Sequence, residues 1–173
     1  MALRNLVLDT TVIINFFAVG RGDLFEKFSD VVFWISEHVR GEVADFEDVA
    51  YSLQLDELVG KEIFHAVESY TLDELALFGK LRDSRVLGEG ECAAISLAVK
   101  RDWILATDDK AAGKEFAQSV SKAGTLCTTQ TLLIELIKTG ELSIAEADDI
   151  KDRLARDFRF RMKFDSFMTF FSK

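Results

Sequence analysis

NLVLDTTVIINFF, residues 5–17, decides the fold class. Its first four residues form a short, unbroken apolar run that stops at Asp9, and a second apolar stretch follows at once. An uninterrupted run suits a strand covered on both faces, as in a parallel sheet with helices on each side. The same arrangement recurs. VVFWI (31–35) precedes Ser36 and a helical pattern carrying Val39, Val43 and Phe46; WILA (103–106) precedes TDDKAAGKEFAQSV; TLCT (125–128) precedes the helical TLLIELIKTG, for which Gly140 is a stop signal.

The middle, about residues 43–80, reads as mostly helical with a short strand near 63–67. Thr71 and Glu74, and again Ser143 and Glu146, have capping-box spacing and mark helix starts. Another helix is expected over about 90–101, with Cys92, Ile95 and Val99 on its apolar stripe. The expectation is an α/β fold, a three-layer α/β/α sandwich with about four mostly parallel strands and a helical C-terminal tail.

At 173 residues, with 49% apolar residues, the chain can bury one sizeable core. About 70% of the unfolded surface should disappear on folding at this length, so disulfides are not needed. With no proline and no Gly/Ser-rich linker, no domain boundary is marked, and residues 1–173 are taken as one domain with a helical extension over about 141–173. Cys92 and Cys127 sit in apolar surroundings outside any C-x-x-C and are expected to be buried thiols; with only His38 and His65 to join them, a Cys/His zinc site is excluded. No run reaches the ~20 apolar residues of a membrane span, and MALRNLVLDTT does not have the order of a secretory leader, so a cytoplasmic protein is expected.

Net charge is −9, yet KDRLARDFRFRMK (151–163) contains six bases and two acids, a local +4 against −13 for the other 160 residues. An acidic body with a basic, phenylalanine-rich tail does not exclude nucleic acid. The tail reads as a segment packing its apolar face on the body or a partner, with stacking on RNA bases as the sharper reading.

In doubly wound sheets ligands bind beyond the carboxyl ends of the strands. Acids crowd that edge: Asp9 after the first strand, Asp108 and Asp109 after WILAT, with Glu42 on a helix that leans over it and Glu89 and Glu91 at a helix start. Taken singly, Asp9 and Asp109 are ordinary N-cap residues, and the glutamates suit the positive end of a helix dipole. Together, carboxylates a few ångströms apart repel by roughly 4 kcal/mol at an effective dielectric constant of 20. A hard dication, Mg²⁺ or Mn²⁺, neutralises such a set and accepts an all-oxygen shell. Other phosphate and ester devices are missing: GEGEC (88–92) has two glutamates where a pyrophosphate would sit, and there is no P-loop and no G-x-S-x-G. Receiver-type or dehalogenase-type phosphotransfer lacks its D-x-D after the first strand, where Asp9-Thr10-Thr11 stands. His38 reads as a surface or structural residue.

LVLDTTVIINFF, ISEHVRGEV, GEGECAAISLA, WILATDDKAA and GTLCTTQTLLIELIKTGEL together resemble the PIN domain, the metal-dependent ribonuclease fold of VapC-like toxins. By that resemblance Asp9 matches the acid ending the first strand, Glu42 the glutamate of V-x-x-E-[LV], Glu91 the acid opening a helix, and Asp109 the acid two places after strand-end Thr107. These four are the implied catalytic set, with Asp9, Asp109, Glu91 and Asp108 as implied metal ligands. Thr10, Thr107, Glu89 and Asn15 are supporting candidates; Glu89 can replace Glu91, and Asp108 can replace or supplement Asp109. Thr11 stands where many relatives have the asparagine of D-T-N, and Asn15 one turn on is the candidate substitute.

The resemblance implies one or two Mg²⁺ or Mn²⁺ ions, RNA hydrolysis leaving 5′-phosphate and 3′-hydroxyl ends, an antitoxin partner and a homodimer. The competing expectation is a PIN-like module that binds nucleic acid or protein without cleaving.

Overall fold

A computed structural model describes residues 3–46, 48–120 and 125–172. Strand β1 (Arg4–Leu8) leads into α1 (Thr10–Ala18) and a 3₁₀ turn, Gly22–Lys27. Then follow β2 (Val31–Ile35), α2 (Glu37–Ala44), α3 (Val49–Gly60), β3 (Phe64–Ala66), α4 (Leu72–Asp83) and α5 (Glu89–Arg101). The chain continues through β4 (Ile104–Ala106), α6 (Lys110–Ser119), β5 (Leu126–Cys127), α7 (Thr129–Thr139) and α8 (Ile144–Asp157). The sheet has five strands in the order β3-β2-β1-β4-β5, one more than the expected four, and every pairing is parallel.

The unbroken apolar runs are explained by the two faces they serve. Along β1, Leu6 and Leu8 enter one core with α1, α3, α7 and α8, whereas Val7 enters a second core with α4, α5 and α6. In β2, Phe33 and Ile35 join the first core and Trp34 the second. Period-two alternation with both faces apolar needs a helical layer on each side. The first core is rich in rings: Phe25 packs on Phe16, Phe64 and Phe33 with centroids 4.7, 4.8 and 5.2 Å apart. Cys92 and Cys127 are buried and free.

Helix boundaries follow their caps. Thr71 and Glu74 close a reciprocal box at the start of α4, as do Ser143 and Glu146 at α8, and α7 ends on Gly140 at φ 79°. Of the helical extension expected over about 141–173, only α8 is α-helix, and a 3₁₀ turn follows at Phe167–Phe170. Beyond α8 Arg159 turns to φ 58°, and residues 159–164 alternate exposed bases with half-buried Phe160, Met162 and Phe164 against the first core. Asp148 then accepts from Ser166 Oγ (2.6 Å) and the Phe167 amide (2.9 Å), seating Phe167 in full burial. Phe160, Phe164 and Phe167 pack on the first core, while Phe158 and Phe170 stay exposed.

Glu74 is 1% exposed, and Arg101 closes on it with Nε 2.6 Å from Oε1 and Nη2 3.2 Å from Oε2. These bonds to Arg101 hold the Glu74 carboxyl below its ordinary range. Arg101→Ala would leave a buried carboxylate unpaired, a loss of about 3 kcal/mol, the lower end for broken buried pairs because the arginine is partly solvated. Melting should fall by about 6–12 °C. Because the folded-state pKa is depressed, this stability is present above the ordinary glutamate range and disappears as pH drops through the folded value. Thermal scans of both chains at pH 7 and pH 3 should show a gap that closes in acid.

Candidate active site

Asp9 ends β1 at the carboxyl edge of the sheet and occupies the N-cap position of α1, yet its side chain caps nothing. It is 1% exposed. Its Oδ2 accepts from Thr11 Oγ1 (2.7 Å) and Thr107 Oγ1 (2.8 Å), which reach it from α1 and from the end of β4. Its Oδ1 is buried with no hydrogen-bond partner. Burial pushes the carboxyl up, against the Thr11 and Thr107 hydroxyls and the nearby Thr10 amide. A fully buried carboxylate oxygen left unmatched is costly unless something else meets it.

Glu42 comes from α2. Its Oε1 accepts the Gly90 amide (2.9 Å), and its Oε2 accepts from the Thr10 hydroxyl. The approach to Gly90 is close enough that a Cβ there would lie 2.6 Å from Oε1 and 2.7 Å from Cδ. Gly90 is therefore the backbone floor on which Glu42 rests. Glu91, next along α5, accepts the Gly88 amide through Oε2 (2.7 Å); burial raises its carboxyl, and Asp9, Asp109 and Glu42 push the same way. Asp109 differs from Asp9 in that it does cap its helix, with Oδ1 accepting from the amides of Ala111 (2.7 Å) and Ala112 (2.9 Å). The Asp109 amide in turn donates to Thr107 Oγ1 (3.1 Å), so Thr107 links Asp9 to the acidic loop.

The ambiguous pairs separate. Glu89 is 61% exposed and faces His38 Nδ1 at 3.6 Å, away from the cluster that Glu91 feels. Asp108 turns toward α1 and α7, where it accepts Asn15 Nδ2 (2.9 Å), the Thr129 amide (3.0 Å) and the Thr129 hydroxyl. Burial raises its carboxyl against those bonds. Asn15 thus serves Asp108, while Thr11 bridges both acids by donating to Asp9 and accepting the Asp108 amide (3.1 Å). Thr129, one of the two threonines that follow the fourth strand run at the same sheet edge, closes this latch.

Asp108→Ala removes a carboxylate that receives three bonds. A loss of about 2–3 kcal/mol is expected, visible as a 4–12 °C fall in melting temperature. An unchanged or raised melting temperature would show that Asp108 is not the latch.

Asp9, Glu42, Glu91 and Asp109 share one electrostatic neighbourhood, and among the described residues no lysine or arginine is paired with any of them. Among those residues, no three acids, histidines or cysteines stand close enough to enclose an ion. Glu42, Glu91 and Asp109 each spend an oxygen on a backbone amide. The donor set nonetheless suits a hard dication: it is all oxygen, it is uncompensated, and Asp9 Oδ1 lacks a partner.

The family model DUF3368, described as a PIN domain, matches residues 5–170. Among solved structures, VapBC-1 from nontypeable Haemophilus influenzae is similar over 73% of this chain and 98% of its own, with TM-score 0.52 and 13% identity. PAE2754 from Pyrobaculum aerophilum is similar over 80% of this chain and 99% of its own, with TM-score 0.47 and 18% identity. VapBC2 from Rickettsia felis, bound to a DNA fragment from its promoter, covers 72% of this chain and 98% of its own, with TM-score 0.46 and 13% identity. At such identities the likeness concerns the fold. No curated protein sequence matches.

Proposed function

The chain belongs to the PIN-domain family, and from that premise we propose that it is a Mg²⁺- or Mn²⁺-dependent endoribonuclease with Asp9, Glu42, Glu91 and Asp109 as its working acids. The observation that carries the reading is the Asp9 carboxylate, fully buried at the sheet's carboxyl edge with Oδ1 unmatched and three further acids around it.

Asp9 and Asp109 would hold the dication, with Glu91 and Glu42 completing its surroundings directly or through water. When bound, such an ion lowers the pKa of a water and offsets charge growing on phosphate oxygens. The rest is the work of this chain. Thr11 and Thr107 fix Asp9 by its Oδ2, which leaves Oδ1 as the free acceptor. Thr10 and the Gly90 amide fix Glu42 across from it. Glu91, whose carboxyl burial raises above its ordinary range, would take the proton of the attacking water. The new bond from water oxygen to phosphorus forms as the bond to the 3′ oxygen breaks, giving 5′-phosphate and 3′-hydroxyl ends.

Residues 1–173 act in this reading as one PIN-like unit in the cytoplasm, a toxin with an antitoxin partner and a homodimer; light scattering of the purified chain tests the dimer. Among the described residues no helix is long and apolar enough to cross a membrane. The open spacing of the acids favours one other reading, a PIN-like module that binds without cleaving. Incubation with structured and unstructured RNAs, with and without Mn²⁺, decides between them. Manganese-dependent cleavage lost in Asp9→Asn supports the enzyme, and metal binding without cleavage of any RNA supports the module.

A further inference from the structure

Arg159, Arg161 and Lys163 alternate with Phe160, Met162 and Phe164, and burial separates the two sets. The apolar side chains are half-buried against the first core, and the three bases stand exposed. Packing of their neighbours thus holds the cations outward, with successive ones no more than about 7 Å apart at Cα. The other charges of this stretch are spent within it: Lys151 pairs with Asp152, Arg153 with Asp149 and Arg156 with Asp157. Asp148 is occupied by Ser166 and the Phe167 amide. Among the described residues no acid pairs with Arg159, Arg161 or Lys163, and exposed Asp165 ends the row.

The row starts on the side of the molecule where the acid cluster stands. Helix α7 begins at the sheet's carboxyl edge, where Thr129 binds Asp108, and residues 140–143 turn the chain into α8. Helices joined so briefly run antiparallel. The first turn of α8 agrees, since Glu146 there feels the charge of Arg21, just past the far end of α1. The last turn of α8 is therefore directed back toward the carboxyl edge. The tail then retraces the helix: the Phe160 amide donates to the Leu154 carbonyl (3.1 Å) near its end, and the Phe167 amide to Asp148 (2.9 Å) near its start. Phe158 and Arg159 lie at the end nearer the acids, and Phe158 keeps 43% of its surface exposed.

Charge and width narrow the partner. Residues 151–163 carry +4 and the other 160 carry −13. An anionic lipid surface would have to approach that acidic body over a broad area, and the body repels it. A single strand needs only the width of the row: successive phosphates meet the three bases while one unstacked base covers the Phe158 ring. We propose that Arg159, Arg161 and Lys163 hold the phosphates of an RNA single strand, with Phe158 stacked on one of its bases, so that the tail anchors substrate on the approach to the acid cluster. The assignment rests on the ribonuclease reading above.

Fluorescence polarisation of the full chain with an unstructured RNA in Ca²⁺, repeated across salt concentrations, tests the anchor. One triple variant carries Arg159→Gln, Arg161→Gln and Lys163→Gln. A control with the same change in net charge carries Lys80→Gln, Lys100→Gln and Lys138→Gln, exposed lysines on other helices. All six side chains are exposed, so both variants should melt with the wild type. Each lost phosphate contact flattens the dependence of log affinity on log salt by about 0.7, so between about 50 and 200 mM salt the row variant should lose about twentyfold less affinity than the wild type. The control should keep the wild-type slope. Phe158→Ala should weaken binding about tenfold without changing the slope. Equal slopes for the row and control variants, an effect of the row variant on phosphatidylserine vesicles in place of RNA, or wild-type binding by Phe158→Ala overturns the anchor. Manganese-dependent cleavage that is lost in Asp9→Asn still leaves the ribonuclease reading standing in that event, whereas failure of every RNA to bind overturns both.

Discussion

Asp9→Asn should cut RNA cleavage by about a thousandfold and, in EDTA at pH 7, raise the melting temperature by about 2–8 °C. The activity loss is on the scale of removing one preorganised charge-stabilising group from a reaction centre. The stability gain has a separate cause. Asp9 is buried with one oxygen unmatched, and the negative charge of Glu42 adds to the cost of its ionised form. The amide keeps an acceptor for Thr11 and Thr107, and a neutral orphan costs less than a charged one. A gain of about 1–2 kcal/mol follows, hence the shift in melting temperature.

The pH dependence has a definite sign. The folded-state pKa of Asp9 lies above its unfolded value, so between the two the native chain binds more protons. Wild-type stability then falls as pH rises from about 3.9 through the folded value, and the variant, lacking that proton, does not follow it. The gap should open across this window and close below it. Saturating Mn²⁺ should raise the wild-type melting temperature and leave the variant nearly unmoved. A variant that melts lower in EDTA, or cleaves at the wild-type rate, would remove Asp9 from the centre of the site.

That contrast between Asp9 and Asp109 marks the limit of sequence reading. Both follow a strand and open a helix, and both look like N-caps; only Asp109 caps, because Thr11 and Thr107 take the Asp9 carboxylate from opposite sides. Thr107 is 98 residues away in sequence, so no local pattern announces that bond. Strands β1, β2 and β4 were legible because they are apolar on both faces, and the α4 and α8 starts because capping boxes are local chemistry. Strand β5, read at TLCT (125–128) from its place before a helical run, spans only Leu126–Cys127. The tail beyond α8 misleads differently: RFRMKF (159–164) alternates in burial with period two and is neither helix nor strand, while its basic and aromatic content suggests an amphipathic helix. Adjacent acids are hardest. Asp108 and Asp109 are equivalent on paper and face different helices in the fold.

Gly90 illustrates the same point and yields the sharpest test of the site's geometry. In sequence it resembles part of a broken dinucleotide fingerprint; in the fold it lets Glu42 reach the amide of α5. Gly90→Ala places a methyl 2.6 Å from Glu42 Oε1, so the carboxylate must retreat by about an ångström, and displacement on that scale costs about a hundredfold in rate. Stability should move little, since alanine gains about 1 kcal/mol of helix propensity over glycine while the Glu42 bond is lost. Gly88→Ala is the control: a Cβ there meets Glu91 Oε2 at 3.7 Å and Glu42 Oε1 at 3.9 Å, ordinary contact distances, and activity should change by less than about threefold. Shortening the partner provides the converse, because Gly90→Ala with Glu42→Asp draws the carboxylate back from the methyl and should recover part of the lost rate. If Gly90→Ala and Gly88→Ala cleave RNA equally well, the position of Glu42 over α5 is a packing detail and the acid set reduces to Asp9, Glu91 and Asp109.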